Sequence, residues 1–290
     1  MRDARDWRGI LHPGPWLGAR VFGWAVLLVL AVGGSGTLAS IALHRMGAPK
    51  DGPGSVLPLA IAIAVMLAAY VLAVRFGEKR PVEELAPRFL PTELTAGFAG
   101  GIAIFTVAIA LLVVTGAYTI SAPTPGGPWR GLQLGFASGV SEELLFRGVL
   151  MRLLWEAFGA RVALMVSSIV FGLMHLLNPD HNLMGAVAII VEAGLGLGAL
   201  YLLTGRLWAN MGAHAGWNFA QSYLFGARTS GFAPGGHLFG VMPRPCVSAF
   251  FTGGEFGPEA SLMGVLVGGT AGILLLLWAR RRARAAWPIS

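Results

Sequence analysis

Residues 141–151 read SEELLFRGVLM. Two adjacent carboxylates, Glu142 and Glu143, and one guanidinium, Arg147, interrupt what is otherwise an apolar helical stretch. The meaning of these three groups depends on their solvent. Of the 290 residues, 55% are hydrophobic and only 12% are charged. That is too little charge to cover a soluble chain of this length, so the composition points to a polytopic membrane protein. The net charge of +7 does not point to nucleic acid. Its Lys and Arg residues cluster in short stretches between apolar runs, as membrane-flanking cations do. Cys246 is the single cysteine, which leaves no disulfide framework and no cysteine-based metal site.

A spanning helix needs about 20 apolar residues. Eight stretches are candidates: 21–43, 55–74, 95–118, 132–154, 161–177, 183–204, 207–226 and 260–279. The expected fold is therefore all-α and polytopic, about eight transmembrane helices forming a bundle with an intramembrane polar cavity. The first apolar run, from Val21, is expected to span rather than to be cleaved as a signal. Charge placement sets the orientation. Arg2, Arg5, Arg8, Arg20, Arg75, Lys79, Arg80, Arg88, Arg152, Arg161, Arg206, Arg280, Arg281, Arg282 and Arg284 all fall on one side. Only Arg45, Lys50, Arg130, Arg228 and Arg244 fall on the other, so both termini are expected to be cytoplasmic.

In hydrocarbon an ionisable side chain is costly unless it is paired or faces a cavity, so each one is a candidate site residue. Glu143 and Arg147 are spaced i,i+4 in the favourable order and can pair on one face. Glu142 lies about 100° around the helix and is free to act as a general base. VFGLMHLLN (170–178) adds His175, with Phe171 one turn before it. NMGAHAGWNFA (210–220) adds His214 and Asn218, again at i,i+4. Side by side, those two can donate towards one point, as an oxyanion needs. VEAGLGLGALY (191–201) adds Glu192, expected to line the cavity, while its glycines read as close-packing positions. Taken singly, each group has an ordinary structural use: a buried ion pair, an interfacial histidine, an interhelical hydrogen bond. Together, on three helices, they supply the parts of a water-activating hydrolase.

SEELLFRG resembles the EExxxR motif of the CPBP intramembrane endopeptidases, a family that includes type II CAAX prenyl proteases and bacteriocin-processing or immunity proteins. SSIVFGLMH (167–175) resembles that family's FxxxH motif, and HAGWN (214–218) its HxxxN motif. The lead-in GLGALYLLTGRLWANMGAH (196–214) is similar as well, and the resemblance covers residues 130–226, with weaker likeness from Glu78. It implies a glutamic-type protease without a metal or other cofactor. Glu142 would activate water with help from His175, and His214 and Asn218 would hold the oxyanion. Glu143, Arg147 and Phe171 would support the site. The implied partners are the lipid bilayer and a membrane-anchored or lipid-modified protein or peptide, cut near one terminus. The Ala-, Gly- and Arg-rich composition fits a multi-pass protein of a bacterial inner (plasma) membrane.

The expected organisation is then as follows. Residues 1–20 form an amino-terminal interfacial segment, and 21–94 form two transmembrane helices plus a cytoplasmic linker. Residues 95–226 form the CPBP-like catalytic helical core, and 227–259 an external Gly/Pro-rich loop. Residues 260–290 form the last transmembrane helix and a basic cytoplasmic tail. Two rival readings use the same side chains. In one, Glu142, His175 and His214 bind zinc and leave water in the fourth position, although no HExxH spacing is present. In the other, the acids and histidines line an ion path in a non-enzymatic transporter or immunity protein.

Overall fold

The computed structural model describes residues 9–286, with side chains through residue 282. The first eight residues of the expected interfacial segment, the Arg284 side chain and the last four residues of the tail lie outside the described residues. The chain runs through α1 (Leu17–Arg45), α2 (Val56–Gly77), α3 (Leu90–Val114), β1 (Tyr118–Ser121) and α4 (Trp129–Glu143). There follow α5 (Arg152–Phe158), α6 (Ala160–Met174), α7 (Leu183–Ile189), α8 (Leu195–Thr204) and α9 (Trp208–Phe219). β2 (Gly240–Pro243), α10 (Ala249–Thr252) and α11 (Leu262–Ala286) complete it.

Six of the eight expected spans form helices long and apolar enough to cross a membrane. The stretches 132–154 and 207–226 are helical but fall short of that description. The first carries Glu142, Glu143, Arg147 and Arg152, and the second is 12 α-helical residues extended by 5 in a wider coil. These are the helices that carry the candidate chemistry. Large apolar side chains such as Leu30, Leu72, Val166, Leu173 and Ile273 are exposed on α1, α2, α6 and α11. A helix apolar on its outer face as well as its inner one is matched to lipid. The molecule is thus an all-α polytopic membrane protein with one small exception. β1 and β2 pair antiparallel, Tyr118 opposite Pro243, between the end of α3 and the 227–259 segment.

That segment is not a loose loop. Phe256 within it is fully buried, Glu259 is 1% exposed, and Tyr118 donates its hydroxyl to the Thr252 carbonyl. Gly/Pro richness here marks tight turns rather than mobility: Gly253 and Gly257 both have positive φ.

Among the described residues three wide π-helical stretches occur, at Leu144–Met151, Ile190–Gly194 and Ala220–Leu224. Each lies beside or within a run of candidate site residues, where such irregularities tend to re-aim side chains. Backbones also approach closely around α9. A Cβ added at Gly101 would lie 2.1 Å from the Ala213 carbonyl oxygen, and one at Gly216 2.1 Å from that of Phe98. Gly135 of α4 meets the Ala215 carbonyl in the same way. Small residues therefore let α9 sit pressed between α3 and α4.

The linker after α2, expected to be cytoplasmic, is a packed ion network. Arg152 of α5 forks onto Glu78 with bonds of 2.9 and 2.6 Å, and Arg80 forks onto Glu84 with bonds of 2.9 and 2.7 Å. Trp24 of α1 donates to Glu78, and the Tyr70 hydroxyl of α2 lies 2.6 Å from Glu84. Burial pushes the Glu78 carboxyl up, but the guanidinia of Arg152 and Arg80 outweigh it and hold the group below its ordinary value of 4.5. Its stabilising effect is therefore complete above pH 4.5 and is lost as pH falls towards the lower folded value. We expect Glu78→Gln, which leaves Arg152 short of a buried partner, to lower stability by about 3–5 kcal/mol at neutral pH. Thermal unfolding in detergent checks this, and the gap between wild type and variant should narrow in acid.

Candidate active site

Glu143 is fully buried and lies at the centre of the polar groups. Its Oε1 accepts from Arg147 Nη1 at 2.9 Å and lies 2.9 Å from His214 Nδ1. Its Oε2 accepts from Asn210 Nδ2 at 3.3 Å. One carboxylate therefore ties α4, its π-helical continuation and α9 together. Arg147 is anchored in turn: Nη2 donates to the carbonyls of Ala193 and Gly194 at 2.9 and 3.3 Å, and its guanidinium lies 4.5 Å from the centre of the Phe171 ring. The i,i+4 spacing read from the sequence is realised as this pair.

A carboxylate can only accept, so His214 uses its Nδ1 proton on Glu143. Its Nε2 then points to Glu142, whose Oε2 is 3.9 Å away, beyond direct hydrogen-bond reach. That Oε2 is buried and without a partner, while the Glu142 side chain as a whole keeps 30% of its surface exposed. His175 Nδ1 lies 2.9 Å from the Phe171 carbonyl, which likewise commits that nitrogen as the donor and leaves Nε2 as an acceptor. The Phe171 ring stands between the imidazoles, with its centre 4.9 Å from that of His175 and 6.1 Å from that of His214. Asn218 donates through Nδ2 to Ser138 Oγ at 2.8 Å, and the second amide proton remains for another acceptor.

A cavity of about 550 Å³ opens between α3, the 190–200 stretch, α9 and α11. Phe171, His175, Glu192, His214 and Asn218 line it. Glu143 and Arg147 lie behind this wall rather than on it. Glu142 differs from expectation: it is not part of the wall, and no hydrogen bond joins it to His175. It approaches the cavity only through His214 Nε2. The helix phase separates Glu142 from Glu143 but does not say which neighbouring groove each faces. Among the described residues, no three His, Cys, Asp or Glu side chains are placed to share a metal ion, so the zinc alternative has no ligand set here.

Sequence reading overlooked three polar residues. Asn210 holds Glu143 and also donates to the Leu197 carbonyl at 2.6 Å. A signal for it existed, since Asn210, His214 and Asn218 follow one another at four-residue steps. Ser138 receives Asn218, and Glu259 lines the cavity from the loop segment. No local pattern marks either one.

Residues 124–220 match the family model described as type II CAAX prenyl endopeptidase Rce1-like, a family of proteases. The match contains the EExxxR, FxxxH and HxxxN positions. No curated protein and no solved structure matched the chain in the corresponding comparisons.

Removing Arg147 strands a carboxylate in the interior, whereas removing Asn210 costs Glu143 only one bond. We expect Arg147→Ala to destabilise the protein by about 3–5 kcal/mol. For Asn210→Ala we expect about 1–3 kcal/mol. Chemical or thermal unfolding of the purified variants measures both.

Proposed function

From the match of residues 124–220 to the family model of Rce1-like type II CAAX prenyl endopeptidases, we infer an intramembrane protease of the glutamic type. One observation carries this reading. His214 is held between two glutamates, Nδ1 at 2.9 Å from Glu143 and Nε2 at 3.9 Å from Glu142, on the wall of an intramembrane cavity. A water at the Glu142–His214 gap is within reach of a free carboxylate oxygen and can lose its proton to it. Its oxygen attacks the scissile carbonyl carbon. The developing oxyanion accepts from His214 Nε2, when that nitrogen carries a proton, and from the spare Asn218 amide proton. Collapse breaks the C–N bond, and the proton held on Glu142 passes to the leaving amine. His175, with Nε2 free, assists by holding water on the cavity side. Glu143, Arg147 and Asn210 keep the His214 ring in its orientation.

The substrate is a membrane-anchored or lipid-modified protein, cut near one terminus. A largely apolar cavity suits such a chain, because leaving lipid for it costs little. The asymmetry of Arg and Lys supports cytoplasmic termini, and the Ala-, Gly- and Arg-rich composition fits a bacterial inner membrane as the setting. The chain regions follow the same reading: a catalytic core over 95–226, flanked by helices that adapt it to the bilayer.

Purified variants test the mechanism. Incubation with a prenylated CAAX peptide, and with membrane extract followed by terminal labelling, reads cleavage. Glu142→Gln and His175→Ala should each abolish it while leaving the protein folded. Asn218→Ala should lower the rate by about 10²–10³-fold. Normal turnover by Glu142→Gln would remove the mechanism.

A further inference from the structure

Three further carboxylates line the same cavity outside the Glu143–His214 array; Glu93 is paired with Arg206, and the other two, among the described residues, are not paired with Lys or Arg. Glu192 sits on the π-helical turn Ile190–Gly194, is 5% exposed, and has no hydrogen-bond partner on either carboxylate oxygen. Glu259, 1% exposed, accepts through Oε1 from the Ser230 backbone amide at 2.5 Å and from the Ser230 hydroxyl at 2.7 Å. Both line the cavity.

α11 seals them from lipid through glycines. A Cβ added at Gly268 would lie 2.5 Å from Glu192 Cβ, and one at Gly264 would lie 2.8 Å from the Glu259 carbonyl oxygen. Among the described residues, neither carboxylate has a Lys or Arg at ion-pair distance. The basic side chains on the cavity wall are imidazoles, and both already use their Nδ1 nitrogens. The His175 imidazole acts on Glu259 across the cavity, but neither acid has a fixed cation beside it, and a ligand that supplies one would be held strongly.

We propose that Glu192 and Glu259 form a cation-recognition subsite that takes one ammonium or guanidinium group of the peptide being cleaved; this rests on the proteolytic reading above. The ligand is an organic cation rather than a metal ion, because among the described residues no third His, Cys, Asp or Glu joins the pair as a metal-binding group. The wall around Glu192 is mostly Gly, Ala and Leu, which suits the methylene stem of a Lys or Arg side chain. The subsite is also coupled to the catalytic array. Ala193 and Gly194, the residues after Glu192, give their carbonyls to Arg147. A basic residue seated on Glu192 would therefore fix the peptide backbone relative to His214, on the other side of the same cavity. The sequence reading found Glu192 as a cavity residue but no partner for it, because Glu259 lies 67 residues away in the loop segment (259 − 192).

Binding in neutral-lipid nanodiscs tests this without knowledge of the substrate. Wild-type protein is titrated with heptylguanidinium and with its neutral counterpart heptylurea. The cation should bind at least about tenfold tighter, a preference that corresponds to one desolvated charge pair. Glu192→Gln and Glu259→Gln should each abolish the preference, and Glu142→Gln should keep it while losing hydrolysis. Equal binding of the two probes by wild type, or a preference surviving both subsite variants, overturns the proposal. If the subsite variants do not fold, the wild-type comparison alone decides. Cation preference in a protein that cleaves nothing would keep the subsite and discard the protease reading. Cleavage without the preference would do the reverse.

Discussion

A carboxylate buried in a membrane bundle must find its donors inside the protein, and Glu143 finds three. Arg147, His214 and Asn210 surround it with bonds of 2.9, 2.9 and 3.3 Å. Satisfying Glu143 brings α4 and α9 into register. Arg147 then reaches past it to the carbonyls of the Ile190–Gly194 turn, which brings in a third helix. The rest of the site follows. His214 is oriented because Nδ1 is taken, and Nε2 is thereby turned to Glu142. The glycine contacts around α9 are the steric side of the same constraint, since bonds this short across helices need backbones this close.

The proposed chemistry rests on a contrast between two adjacent acids. Glu143 already accepts three hydrogen bonds and is fully buried, away from the cavity. Glu142 has a buried oxygen with no partner and a partly exposed side chain. Neighbours in sequence thus differ in availability, and availability is what a general base needs. Low dielectric strengthens every interaction in the array, and the same property makes an incomplete array costly. The Glu78–Arg152 network at the start of α5 shows the same rule in a purely structural setting.

The helical fold was legible in the sequence because lipid imposes long apolar runs, and six of these appear as spans. The two helices with the most polar residues were located, but their π-helical breaks were not, since a wide turn leaves no hydrophobic period of its own. The Glu143–Arg147 pair was readable from spacing, because both partners lie on one helix. Contacts between helices were not: the pairing of Glu143 with Asn210 depends on which faces meet. Glu142 lay off the cavity wall for the same reason. Gly and Pro in the 227–259 segment mark turns without saying whether those turns pack, and so Glu259 went unnoticed. The three motifs were informative beyond their individual weakness because their order matched a family found over residues 124–220.

The central claim is that the Glu142–His214 gap is where a peptide bond is hydrolysed. Its most direct test is in cells, by mass-spectrometric comparison of protein termini in membranes containing wild-type protein, Glu142→Gln or no copy of the chain. The account predicts at least one new terminus on a membrane protein in the wild type, absent from the other two. Identical termini in the wild-type and Glu142→Gln membranes would contradict it.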